Sequence, residues 1–220
     1  MHAREKIDSV ATVVMACCAL VVTGLFLHDR LAEPPNPGSP VSQKAWRDYA
    51  VGTMRVGPDS GAVVITMFSD FQCPYCLSLY RSLETLRARY LGKIAIVHRN
   101  YPIVSLHPAA RTAAIAAECA ANVGAFERFY SYLFEHQDSL RTERWGVFAR
   151  ASGIRDTIAF VGCLDDHEIV ARLRADSVAA RKLNISGTPM FLVNEWQFKG
   201  NTRLEVIDSV IRREIQRLRP

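Results

Sequence analysis

The sequence predicts an α/β domain interrupted by a helical insertion, and three observations carry that reading. Apolar runs at 62–68 and 94–98 flank one amphipathic segment, the pattern of two parallel strands joined by a right-handed helical crossover. From about residue 108 to 183 there is no strand signal, only successive helical periodicities. Strand-like runs return at 190–193 and 197–199, before a last amphipathic segment. The chain has 220 residues, 49% hydrophobic and 22% charged, which suits one globular domain with an addition at its start.

Taken in order, residues 10–27 form an uncharged apolar run, about 27 Å long as a helix and just long enough to cross a bilayer core. The run is longer than a secretory core and lacks a convincing small-x-small cleavage site, so it is read as a transmembrane anchor, with a signal sequence as the alternative. Residues 1–9 are then a cytoplasmic tail, and 28–44 a Pro-rich linker built around Pro34, Pro35, Pro37 and Pro40. Cys17 and Cys18, inside the run, are read as small apolar residues. The folded domain is expected over 45–220, with the insertion at about 105–184.

Pro58-Asp59-Ser60-Gly61 is turn chemistry between two short strands. The second strand, at 62–68, is apolar on both faces and therefore central. The helix after Cys73 puts Cys76, Leu79, Tyr80, Leu83, Leu86 and Tyr90 on one face, and Arg81, Glu84, Arg87 and Arg89 on the other. Gly92 ends it, and 94–98 is the next strand. Helices are expected at 109–121, 126–134, 143–151, 155–164 and 168–183, with breaks at Gly153 and Asp165-Asp166. The last helix is expected to bury Leu204, Ile207, Ile211, Ile215 and Leu218.

The chemistry is concentrated in Cys73-Pro74-Tyr75-Cys76, at the junction of the central strand and its helix. Pro74 suits a first helical turn, where its missing N–H would have had no partner. Cys73 then lies against unpaired N–H groups at the positive end of the helix dipole, which favours a thiolate. A thiolate that is also a good leaving group is what thiol–disulfide exchange requires. Half of a structural zinc site has the same spacing, but Cys119 and Cys163 form no second close pair, and His98 and His107 are not at ligand spacing. An inert disulfide is the remaining alternative.

Phe68-Ser-Asp-Phe-Gln-Cys-Pro-Tyr-Cys76, followed by a helical insertion and then Gly187-Thr188-Pro189, resembles the DsbA-like branch of the thioredoxin superfamily over about residues 45–218. The resemblance implies a thioredoxin fold with an inserted helical domain. It implies that Cys73 is the exposed nucleophile and Cys76 the buried resolving cysteine. It makes Pro189 a cis-proline facing the pair, with the Thr188 backbone pairing with an extended substrate. Pro74 and Tyr75 complete the site. It also favours a disulfide between Cys119 and Cys163, which would stabilise by about 4 kcal/mol in the chain-entropy model. One departure stands out: relatives usually carry an acid six positions before the first cysteine, where this chain has Met67. Proton transfer at Cys76 is then expected to use water or Asp70.

These readings converge on an extracytoplasmic thiol:disulfide oxidoreductase, held to the inner membrane by a single span and acting on exported cysteine-containing proteins. A stable dithiol chemistry fits that oxidising compartment. By analogy alone, a membrane redox partner of the DsbB or vitamin K epoxide reductase type would reoxidise it. Alternatives are a reductase or isomerase using the same site, which the Pro-Tyr pair favours, and a non-redox peptide-binding chaperone module. No cofactor or metal is called for, and a monomer is expected. The net charge of +5 is dispersed, and Arg212, Arg213, Arg217 and Arg219 read as a solvated helix face, so nucleic-acid binding is not indicated. His107-Pro108 reads as a helix start.

Overall fold

The structure is a computed structural model that describes residues 40–52, 54–59 and 61–218, together with Met15 and residues 19–23, which are helical. The chain divides into Met1–Ser39 and Pro40–Pro220. Among the described residues no helix is long and apolar enough to cross a membrane. Most of the 10–27 run read as an anchor lies outside the described residues, as does most of the linker.

A six-stranded sheet organises the second part, in the order β1-β6-β5-β3-β4-β2. Strand β3 (Val63–Ser69) is central and almost wholly buried, as its two-faced apolarity requires. It pairs in parallel with β4 (Ile94–Asn100), from Val63 opposite Ile94 to Ser69 opposite Asn100. On its other side β5 (Met190–Val193) runs antiparallel, with Phe68 opposite Met190. β6 (Trp196–Lys199) follows by a hairpin, and β2 (Arg55–Val56) covers the β4 edge.

The far edge is β1 (Val41–Ser42), which pairs with Gln197 and Trp196 of β6. These residues fall in the stretch read as linker. The Gln43 N–H to the Glu195 carbonyl at 2.7 Å, and Ser42 and Lys44 both on the Glu195 carboxylate at 2.9 Å, hold them to the sheet. An edge ladder plus side-chain bonds offsets the ordering of a short polar segment, which hydrophobic patterning does not register.

Helix α1 (Pro74–Arg89) crosses from β3 to β4 and buries Cys76, Leu79, Tyr80, Leu83 and Leu86. Tyr90 is half-buried at its end and bonds Asp208 at 2.8 Å. The insertion is α2 (Ala110–Asn122), α3 (Phe126–Glu135), α4 (Trp145–Ala151), α5 (Thr157–Cys163) and α6 (His167–Lys182). The breaks are capped: the Asp156 and Asp166 side chains accept the Ala159 and Glu168 N–H groups at the starts of α5 and α6. Cys119 of α2 and Cys163 of α5 form a disulfide. The last helix, α7 (Leu204–Arg217), buries Ile207, Ile211 and Ile215, but Leu218, expected inside, is 59% exposed because the helix ends before it. Its arginines are partly paired, Arg212 with Asp208 and Arg217 with Glu214.

The insertion meets the sheet through ions and rings. Arg99 of β4 pairs with Asp176 of α6 at 2.8 Å, and the Asn100 side-chain amide of β4 donates to Glu118 of α2, which pairs within the insertion with Arg172 of α6 at 2.7 Å. Beside them is an aromatic cluster in which Phe71 stacks on His98 at 4.4 Å and packs on Phe134 at 5.0 Å. His98 is fully buried, and neither ring nitrogen has a hydrogen-bond partner among the described residues. Burial holds its pKa down at about 3, only partly opposed by Asn100.

That ring takes up a proton on unfolding between about pH 6.5 and about pH 3. The unfolded state binds more protons there, so stability rises with pH across the window and falls on acidification. His98→Phe keeps the stack on Phe71 and removes the titration. In urea unfolding it should abolish roughly 2–3 kcal/mol of the stability the wild type loses between about pH 7 and about pH 4.5. An unchanged pH slope would contradict the assignment.

Candidate active site

The C-terminal end of β3 and the N-terminal end of β5 lie side by side, and the site forms between them. Beyond β3 the chain turns through Asp70, Phe71 and Gln72, and the Cys73 N–H closes the turn on the Asp70 carbonyl at 3.1 Å. Cys73 is the N-cap of α1 in extended conformation, with Pro74 in the first helical position. Beyond β5's start, the Thr188–Pro189 peptide is cis. The Thr188 carbonyl comes within 3.7 Å of the Cys73 sulfur, which donates to it in the thiol form.

Both cysteines are thiols in this structure and both are buried. Cys73, expected to be exposed, is 4% exposed and Cys76 0%. The reason is local: the Thr188 segment lies over the Cys73 sulfur, while Pro74 and Tyr75 take the exposed positions of the turn. Tyr75 is 62% exposed and forms the outer rim.

The two sulfurs differ strongly in acidity. The hydrogen bond from the Cys76 thiol draws the Cys73 thiol down to about 5; burial opposes this, and the Thr188 hydroxyl and the N–H groups of Cys76 and Tyr75 add to it. The Thr188 hydroxyl is buried and has no other partner among the described residues, which leaves it free to serve an ionised sulfur. Burial pushes the Cys76 thiol well above the ordinary thiol range, and the neighbouring Cys73 sulfur pushes it further. The Asp70 N–H and the Ser69 hydroxyl offset this only in part. Near neutral pH the pair is one thiolate and one thiol sharing a proton.

Asp70, considered for proton transfer to Cys76, is committed elsewhere. Its fully buried carboxylate accepts the Gln72 N–H, the Ile103 N–H and His107 Nδ1, each at 2.8 Å. His107, read as a helix start, lies ahead of the helix, which begins at Ala110, and anchors the 103–107 loop beside the redox turn. Met67 is fully buried in β3, and the Tyr130 hydroxyl of α3 donates to its sulfur at 3.7 Å. The Ser69 hydroxyl is buried and, apart from the Cys76 sulfur, has no partner among the described residues.

Two contacts escape sequence reasoning. The Gln72 side chain accepts the Ala109 N–H at 2.8 Å, and the Gln137 amide donates to the Phe71 and Cys73 carbonyls at 2.7 and 3.0 Å. Both glutamines sit at polar positions just outside regular elements, and no motif marks them. Among the described residues no group of three or more His, Cys, Asp or Glu is placed to hold a metal ion.

Fold and site together define a class, the dithiol thiol–disulfide oxidoreductases built on a thioredoxin sheet. A family model described as thioredoxin matches residues 49–213, three quarters of the chain, and the chain belongs to that family. Its fold is similar to a thioredoxin-like oxidoreductase from Silicibacter pomeroyi (24% identity, TM-score 0.63, 74% of this chain and 91% of that one). It is also similar to oxidised BdbD from Bacillus subtilis (22%, TM-score 0.65, 81% and 97%). A third similar structure is the thiol-disulfide exchange protein alpha-DsbA2 from Wolbachia pipientis (20%, TM-score 0.61, 77% and 91%). Curated relatives include proteins named Na(+)/H(+) antiporter NhaA from Salinispora tropica (33% identity over 155 residues) and Salinispora arenicola (31% over 155). Those matches cover 70% of this chain, and the chain spans about a quarter of those relatives' length.

The acidity split has a direct readout. In the reduced protein, alkylation by iodoacetamide should follow a single thiolate with a midpoint near pH 5, and peptide mapping after a brief reaction at about pH 6 should find the label on Cys73 alone. Equal labelling of both cysteines, or a midpoint near that of a free thiol, would contradict the geometry.

Proposed function

We propose that the protein is an extracytoplasmic thiol:disulfide oxidoreductase that forms disulfides in exported proteins. The observation that carries the reading is the pair itself: Cys73 at a helix N-terminus with its pKa near 5, backed by a buried, protonated Cys76. A stabilised thiolate at Cys73 favours the reduced form and so makes the disulfide an oxidant.

In the oxidised protein a substrate thiolate attacks the Cys73 sulfur, and the Cys73–Cys76 bond breaks. Cys76 leaves with the electron pair and takes a proton, as its raised pKa requires. The second substrate thiolate then attacks the substrate sulfur of the mixed disulfide and expels Cys73 as a thiolate. Two electrons pass from substrate to protein, and the substrate gains its disulfide. Of the two buried sulfurs, that of Cys73 stands nearer the surface, beside exposed Tyr75 and under the Thr188 segment along which a substrate would lie. An extended substrate lying along Thr188 would gain backbone hydrogen bonds by strand addition.

The membrane setting is supported by the 10–27 run, whose length and lack of charge suit a single-pass anchor in the inner membrane. The domain then faces the periplasm. Its own reoxidation would fall to a membrane redox partner of the DsbB or vitamin K epoxide reductase type. Antiport is not carried over, because the matches to NhaA proteins cover about a quarter of their length and the chain's own chemistry is the dithiol.

Cys76→Ser removes the resolving thiol. With a reduced, unfolded cysteine-containing protein, the oxidised wild type should form one substrate disulfide per Cys73–Cys76 disulfide consumed, and turn over when glutathione disulfide is added as oxidant. Cys76→Ser, charged at Cys73 with a small-thiol leaving group, should trap a single-cysteine version of the substrate as a mixed disulfide that dithiothreitol releases, and Cys73→Ser should form none. Mass spectrometry reads all three. Wild-type chain that leaves the substrate thiols unoxidised would refute the proposal.

A further inference from the structure

The insertion reaches the redox turn through one side-chain amide. Gln137 opens the 3-10 turn Gln137–Ser139 directly after α3, and its Nε2 donates 2.7 Å to the Phe71 carbonyl and 3.0 Å to the Cys73 carbonyl. We infer that Gln137 is a positioning residue for Cys73, holding the 71–73 backbone and screening two carbonyl dipoles beside the reactive sulfur. The inference rests on the dithiol reading above.

The Phe71 carbonyl has no other hydrogen-bond donor among the described residues. The Cys73 carbonyl also accepts the Cys76 and Leu77 N–H groups, at 3.1 and 3.2 Å, so Gln137 completes its set. A carbonyl oxygen near a forming thiolate presents the negative end of its dipole and opposes ionisation. A donor on that oxygen weakens the opposition. The two bonds hold the Phe71–Gln72 peptide before Cys73 and the Cys73–Pro74 peptide after it, which leads to the Tyr75 and Cys76 N–H groups that lower its pKa. Loss of that hold would let those donors move off the sulfur.

Packing alone does not replace this contact. Phe71 is held by His98 and by Phe134, three residues before Gln137 on the same stretch of chain, and these contacts orient the ring. They supply no donor to the carbonyls. Gln137 also joins two parts of the chain more than sixty residues apart, so displacement of α3 would be felt at Cys73.

The test uses the full chain with Gln137→Leu, which removes the donor, Gln137→Glu, which keeps the size but supplies acceptors, and Gln137→Lys, which restores a donor of similar reach. The readouts are the pH profile of Cys73 alkylation and the melting temperatures of the oxidised and reduced forms. Loss of both donor contacts should slow alkylation near pH 5 about threefold in Gln137→Leu. Gln137→Glu should slow it further, Gln137→Lys should restore it, and reduced protein should lose more melting temperature than oxidised. A merely structural glutamine would lower both melting temperatures equally and leave the profile alone, and that result overturns the inference. If Gln137→Leu does not fold, the isosteric Glu variant carries the same comparison. Substrate oxidation by wild type reports separately on the parent reading: its failure condemns the dithiol function, while its success with unchanged variant profiles condemns only Gln137.

Discussion

The Cys76 thiol donates to the Cys73 sulfur, and the rest of the site is arranged around that contact. Cys73 sits at the N-cap of α1, where the Thr188 hydroxyl and, to a lesser degree, the first-turn N–H groups also favour its ionised sulfur. Cys76 sits one turn inside, facing the core among Leu79 and Phe71. One sulfur is thereby favoured as an anion and the other as a neutral thiol. The parallel β3–β4 pair aims the turn, and antiparallel β5 brings Thr188 opposite it. Moving either strand by one residue would separate the sulfur from the Thr188 carbonyl and hydroxyl.

The asymmetry owes nothing to a buried acid. At Met67 a thioether packs where relatives usually place a carboxylate, and a tyrosine hydroxyl from the insertion rests on it. The nearest acid in sequence, Asp70, is saturated by three donors and serves as a post between the redox turn and the 103–107 loop. Ionisation of the pair is therefore governed by the Cys73 side, through the Cys76 thiol, the Thr188 hydroxyl and two helical N–H groups.

The two-residue spacing of the cysteines, Pro74 at the helix start and the two-faced apolar strand before them made the dithiol and its setting legible from the sequence. The helices of the insertion were legible for a similar reason, since periodicity and the Asp-rich breaks are local signals. What escaped was tertiary. Burial of Cys73 depends on a segment more than a hundred residues away. The engagement of Asp70 depends on a loop whose backbone N–H at Ile103 leaves no compositional trace. Gln137 lies in a polar stretch like many others, and only its distance to two carbonyls distinguishes it. Strand β1 is two residues long and is specified by its partner rather than by its own pattern.

The reduction potential of the Cys73–Cys76 pair tests the central claim most directly, equilibrated in glutathione buffers and read by alkylation. A thiolate with a pKa near 5 rather than near 9 favours the reduced form at neutral pH by roughly a hundredfold, which is about 60 mV in a two-electron couple. A shift of that size on a thioredoxin-like reference of about −270 mV predicts a potential of roughly −210 mV or higher. A value at or below about −270 mV would mean that the helix terminus and the Thr188 segment do not stabilise Cys73 as described, and would turn the pair into a reductant.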